Sequence, residues 1–120
     1  MSLYDDLGGD DAIAAALDQF YVKVLDDPRV SVYFDGLDVE RIKAKQLDFL
    51  AMAFGGPDRY NGRDLRTAHH LPRERGLDEE GYQVFMGHFR TTLEQLGVDE
   101  PKVAEVMAIA DTGKDDVLGR

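Results

Sequence analysis

Ile42-Lys43-Ala44-Lys45-Gln46-Leu47-Asp48-Phe49 places Ile42, Lys45, Gln46 and Phe49 at i, i+3, i+4 and i+7, the spacing of one helix face. An amide therefore shares a face with two apolar groups, which a plain core helix rarely carries. A glutamine taken out of water needs hydrogen-bond partners, and its donor end suits a polar ligand held in an otherwise apolar cavity. Outward from this stretch, Phe20-Tyr21, Phe34 and His69 each fall where a short helix or its edge is expected. Together they can close a pocket around one imidazole.

Asp38 is suited to cap the helix carrying that stretch, predicted over 39–54 and halted by Gly55-Gly56-Pro57. Before it, a short helical turn over 3–7 ends at Gly8-Gly9, since consecutive glycines lose too much backbone entropy in a helix. Asp10 or Asp11 is expected to cap the next helix, where Ile13, Ala16, Leu17, Phe20, Tyr21 and Val24 form an apolar stripe. Asp26-Asp27-Pro28 interrupts it, and a brief segment over 28–34 runs to the break at Gly36. Glycine, proline, aspartate and asparagine make 55–62 a loop, leaving room for a short helix over 64–70 before Pro72. Asp78 caps a helix in which Tyr82, Phe85, Phe89, Leu93 and Leu96 recur every three or four residues until Gly97. Asp99 opens a last helix with Val103, Val106, Met107 and Ala110 inward, and the polar tail from Asp111 is expected to fray. With no strand pattern, repeat or low-complexity run, the chain reads as all-α.

The 120 residues, 43% of them hydrophobic, support one modest core, so a single domain over 1–120 is expected. No apolar run is long enough to cross a bilayer, and the start lacks the basic-then-apolar pattern of a secretory signal; a cytoplasmic protein without a membrane role is expected. Cysteine is absent, which excludes disulfides, thiolate metal sites and a cysteine nucleophile. No serine stands beside a histidine in a nucleophile arrangement, which argues against hydrolytic chemistry. The formal charge of −10 comes from 24 acidic against 14 basic residues spread along the chain, with no basic stripe for nucleic acid. Dispersed acid fits a salt-loving host or a plain acidic bacterial protein equally.

Several stretches in order carry a resemblance: Leu3-Tyr4-Asp5-Asp6-Leu7-Gly8-Gly9, Phe20-Tyr21-Val22-Lys23-Val24-Leu25, Tyr33-Phe34, Lys45-Gln46-Leu47-Asp48-Phe49, Phe54-Gly55-Gly56-Pro57, and Tyr60-Asn61-Gly62-Arg63 leading to Ala68-His69. On these the chain resembles the group I truncated haemoglobins. The resemblance implies a two-over-two helical sandwich, two antiparallel helix pairs around haem b (iron protoporphyrin IX). It makes His69 the iron ligand, following Arg66-Thr67-Ala68 at the family's spacing from Gly62. His70 would point about 100° away on the same helix, and His88, at the edge of an apolar stripe, reads as solvated or hydrogen-bonded.

On the ligand side the resemblance implies a hydrogen-bond network of Tyr21 with Gln46. Phe34 is similar to the phenylalanine that packs on the porphyrin, and Phe49 and Phe85 are expected to line the same group. Ile42 occupies the place where many globins put a polar distal group; being apolar, it can gate access but cannot bond oxygen. Lys45 has two open roles, pairing with a haem propionate or binding the iron itself, and Arg66 is a further candidate for the anionic edge. The expected ligands are dioxygen and the related gases nitric oxide and carbon monoxide, with nitric oxide dioxygenation to nitrate and an external reductase to restore the iron. The alternative is a six-coordinate haem protein for electron transfer or sensing, with Lys45 as distal ligand. A monomer or weak homodimer is expected. Without a histidine near the C-terminus, covalent haem attachment as in some cyanobacterial relatives is not expected.

Overall fold

In the computed structural model the described residues are 2–57, 75–114 and 118, and their regular structure is entirely helical. In chain order they form α1 (Leu3–Leu7), α2 (Gly9–Leu25), α3 (Pro28–Ser31) with a 3-10 turn (Val32–Phe34), α4 (Val39–Ala53), α5 (Glu79–Gln95) and α6 (Glu100–Ala110). A second 3-10 turn, Asp111–Gly113, closes the series. α2 packs on α4 and α5 pairs with α6; the two pairs meet through α2 against α5 and α4 against α6, with α3 set against α2 and α5.

The caps follow sequence chemistry. Asp27, Asp38 and Asp78 each accept a backbone N–H of the helix they open, from Arg29, Arg41 and Gly81 respectively, and each such cap contributes about 1 kcal/mol. Pro28 supplies the first turn of α3, where a missing N–H costs nothing. The expected cap at Asp10 or Asp11 is not used. α2 begins at Gly9 directly behind Gly8, whose left-handed φ of 109° turns the chain, and no side chain caps it. Asp10 accepts the Tyr4 hydroxyl instead, at 2.7 Å.

The stripe of α2 is buried as its periodicity requires, at Ile13, Ala16, Leu17, Phe20, Tyr21 and Val24. It meets Val30, Phe89, Leu93, Val103 and Val106 in one core, where each large apolar side chain taken out of water contributes about 1.5–3 kcal/mol before entropy is counted. Leu96 departs from its expected place. It caps the C-terminus of α5 and is 40% exposed, because the helix ends before that position turns inward. The inward polar residue is Thr92, fully buried, its hydroxyl donating to the His88 carbonyl at 2.8 Å. The tail is tied down as far as Lys114: Tyr82 donates to Asp111 Oδ1 at 2.6 Å, and Lys114 pairs with Glu79 at 2.7 Å.

Candidate functional site

α4 buries only Leu50 and Ala51, both in its C-terminal third. Over its first two-thirds Ile42 and Gln46 are half-buried and Lys45 is exposed, and Phe49, just beyond, is half-buried as well. The face read from the sequence is therefore present, but protein does not seal it, and Gln46 is half-covered rather than enclosed. Across from it, α2 presents Tyr21, 2% exposed. The Tyr21 hydroxyl donates to Gln46 Oε1 at 2.7 Å, joining the two helices across 25 positions of sequence. Burial pushes the phenol well above its ordinary value, opposed in part by the Gln46 hydrogen bond. Tyr21 therefore stays neutral and keeps its proton as a donor.

An aromatic wall continues from this pair. The Tyr21 ring meets Phe34 edge-on at 5.4 Å, and Phe34 meets Phe85 at 5.6 Å. Phe85 in turn lies 6.1 Å from Tyr33 in a stacked arrangement. Phe20 backs the wall, 5.0 Å from Tyr21 and 5.6 Å from Phe89. Phe34 and Phe85 pack on the core without being buried, as do Ile42 and Phe49. Tyr33, which the sequence names beside Phe34 without a role, joins this wall. It is buried where Gly81 makes room: a Cβ there would fall 2.9 Å from the Tyr33 hydroxyl.

The turn carrying Phe34 is fixed from the far side of the chain. Arg75 donates to the Val32 and Asp35 carbonyls at 3.2 and 2.8 Å, and Tyr33 donates to the Gly76 carbonyl at 3.4 Å. His88, expected to be either solvated or hydrogen-bonded, has Nε2 2.8 Å from Asp27 Oδ2. His69, His70 and Arg66, with the short helix expected over 64–70, lie outside the described residues. An apolar cleft of about 210 Å³, lined among others by Ile13, Ala16, Leu50, Phe89 and Val106, includes neither Tyr21 nor Gln46.

A neutral phenol–amide pair beside an aromatic wall that the protein leaves partly uncovered defines a helical protein built to hold a broad apolar group next to a small polar ligand. Comparisons with known proteins agree. The bacterial-like globin family model matches residues 2–118. The group 1 truncated hemoglobin GlbN of Synechocystis is 40% identical over 122 residues, covering 99% of this chain and 98% of that protein. Group 1 truncated hemoglobin LI410 of Chlamydomonas moewusii is 41% identical over 119 residues, covering 98% of this chain and 68% of that protein. Among solved structures, the 2/2 hemoglobin of Synechococcus, described with covalently attached heme, superposes with a TM-score of 0.94 at 38% identity, covering 100% of both chains. The chain belongs to the bacterial-like globins, among the group 1 truncated haemoglobins with the two-over-two fold.

Its cofactor is haem. The residues present fit that group: apolar Phe34, Ile42, Phe49 and Phe85 stand half-exposed around the Tyr21–Gln46 bond, which suits a flat apolar face. Among the described residues the amide hydrogens of Gln46 have no acceptor, which leaves a donor for a ligand.

Proposed function

We propose that this chain reversibly binds dioxygen and uses it to convert nitric oxide to nitrate. Haem b, when bound, supplies the iron that takes the gas and the one electron that joins nitric oxide and dioxygen into nitrate. An external reductase then returns that electron. What carries the reading is the Tyr21–Gln46 hydrogen bond of 2.7 Å beside an uncovered apolar face.

The pair has two donor arrangements. With the phenol proton committed to Gln46 Oε1, both amide hydrogens remain for a ligand. Turning the amide so that it donates to the phenol oxygen releases the Tyr21 proton toward the ligand instead. Burial keeps that proton in place in either arrangement. A hydrogen bond to a partly charged acceptor contributes about 1.5–3 kcal/mol, roughly ten- to a hundred-fold in the rate of release. Ile42 adds no donor, so retention falls to Tyr21 and Gln46. Lys45, exposed and without an ion pair among the described residues, is available to an anionic group at the rim, such as a propionate.

Three measurements test this. Tyr21→Phe should release oxygen roughly ten- to a hundred-fold faster by stopped flow; an unchanged rate removes the phenol from the network. Oxygen-loaded protein mixed with nitric oxide should yield nitrate in stoichiometric amount with the haem. Absence of nitrate limits the function to oxygen binding. Sharp six-coordinate bands in the reduced, ligand-free protein, abolished in Lys45→Ala, would shift the function to electron transfer or sensing.

A further inference from the structure

A second link crosses the same two helices three residues before each partner of the first. Lys43 Nζ donates to Asp18 Oδ1 at 2.9 Å and lies 2.9 Å from Glu40 Oε2 on its own helix. Asp18 precedes Tyr21 by three positions and Lys43 precedes Gln46 by three, so each pair of residues shares a helix face, about 4.5 Å apart along the axis. The ion pair and the Tyr21–Gln46 bond thus tie the same two helices at two nearby points.

Apolar packing does not close that seam. A cleft of about 150 Å³ opens between the helices, lined by Ala14, Leu17, Ala44 and Leu47 together with Asp18, Glu40 and Lys43. The small alanines leave the gap, and α4 has no fully buried residue in this half to hold it down. Close-packed side chains fix helix spacing elsewhere in the core; here a charged bridge takes their place. Lys43 is well suited to it. Its side chain is 17% exposed while Asp18 and Glu40 are 69% and 82% exposed, so the stem covers the cleft and the ammonium emerges between two carboxylates. Its proton is held more firmly than in a free lysine, first by the Asp18 hydrogen bond and then by that of Glu40. Because both acids stand in water, added salt weakens the bridge directly and reaches the buried phenol's bond only through it.

We propose that Lys43, bridging Asp18 and Glu40, is a positioning residue that sets the spacing of α4 over α2 and thereby the Tyr21–Gln46 hydrogen bond, making ligand retention dependent on ionic strength. The inference rests on the reading of Tyr21 and Gln46 as the pair that holds the ligand. It touches neither the ligand nor haem and acts only through that pair.

The test uses the full haem-loaded chain as wild type, Lys43→Met, Lys43→Arg and Asp18→Asn, with Lys43→Met repeated in a Tyr21→Phe background. Oxygen release is followed by stopped flow from low salt to about 1 M sodium chloride. The C–O stretch of the carbon monoxide complex reports the donor field at the ligand, and thermal unfolding reports folding. In low salt, Lys43→Met and Asp18→Asn should release oxygen about two- to five-fold faster, the range of a partly exposed ion pair, and shift or broaden the C–O stretch. Lys43→Arg should restore both. Wild-type release should quicken with salt while that of Lys43→Met does not, and in the Tyr21→Phe background Lys43→Met should have no further effect. Wild-type release and C–O stretch in Lys43→Met, or an effect of equal size in the Tyr21→Phe background, would overturn the assignment. A rate changed by Tyr21→Phe but not by Lys43→Met refutes the role of Lys43 alone. A rate unchanged by Tyr21→Phe refutes the reading of the pair, and the proposal falls with it.

Discussion

Asp27 has more partners than its place before Pro28 announces. Its carboxylate takes the Arg29 backbone N–H at 3.0 Å, the Arg29 guanidinium at 2.7 Å and His88 Nε2 at 2.8 Å, with the side chain only 10% exposed. The Arg29 hydrogen bonds, and then that of His88, hold its carboxyl well below the usual carboxylate range. In the unfolded chain it takes up a proton at about pH 3.9, the ordinary value. Its contribution to stability is therefore complete above that value and is lost as the pH falls from there through the lower folded value. Thermal unfolding of wild type and Asp27→Asn should show a wild-type advantage that is intact at about pH 5 and narrows below about pH 4. An advantage that grows on acidification over this range would mean that the carboxylate is not stabilised in the fold. The helix break was legible from Asp26-Asp27-Pro28, though the cap that Asp27 makes was not read there. Its partner across 61 positions was not, because no local pattern encodes which distant imidazole folding brings near. Gln46 was the opposite case: an amide on an apolar face announced an unmet need, and Tyr21 met it.

Between elements, the end of α4 shows how much a readable stop signal leaves unsaid. Gly55-Gly56-Pro57 ends the helix as its residues require, yet the two glycines serve different ends. Gly55 adopts a left-handed φ of 90°, which favours glycine over any side chain. Gly56 has no such backbone, but a Cβ there would lie 2.5 Å from Tyr4 Cγ. The Tyr4 ring of α1 rests on that glycine while the Tyr4 N–H donates to the Phe54 carbonyl at 2.9 Å. Gly56→Ala should therefore destabilise the protein by about 1–3 kcal/mol through overpacking. Gly87, exposed within α5 with nothing within 4 Å of a built Cβ, is the matched control. Gly87→Ala should stabilise by about 0.5–1 kcal/mol, since alanine is the better helix former. Urea unfolding of the two variants separates the mechanisms; equal signs would refute the packing account of Gly56. The unused cap of α2 has a separate cause: the helix starts at Gly9, so Asp10 and Asp11 lie inside it, and Asp10 accepts the Tyr4 hydroxyl.

At the scale of the whole molecule, periodicity specified helices and their inward faces but allowed any small helical bundle. The ordered resemblance narrowed that to a two-over-two globin, and the half-exposed Phe34, Ile42, Phe49 and Phe85 show why. These residues have core chemistry without core burial, so haem completes the apolar interior and couples cofactor binding to stability. Linkage puts a scale on that coupling: cofactor at about a thousand times its dissociation constant adds about 4 kcal/mol. We propose that an axial bond carries much of that gain, and neutral imidazole is a common donor. His69 and His70 are both available in the sequence, and on the helix expected over 64–70 they would differ by about 100°, so that one iron would accept only one of them. We propose His69. His69→Ala should lose stoichiometric haem uptake and with it the rise in unfolding temperature on haem addition, while His70→Ala keeps both. Titration with haem followed by thermal unfolding decides between them, and the reverse pattern would move the ligand one residue along. If neither variant loses the stabilisation, the apolar wall alone holds the cofactor and the axial bond contributes little to the fold.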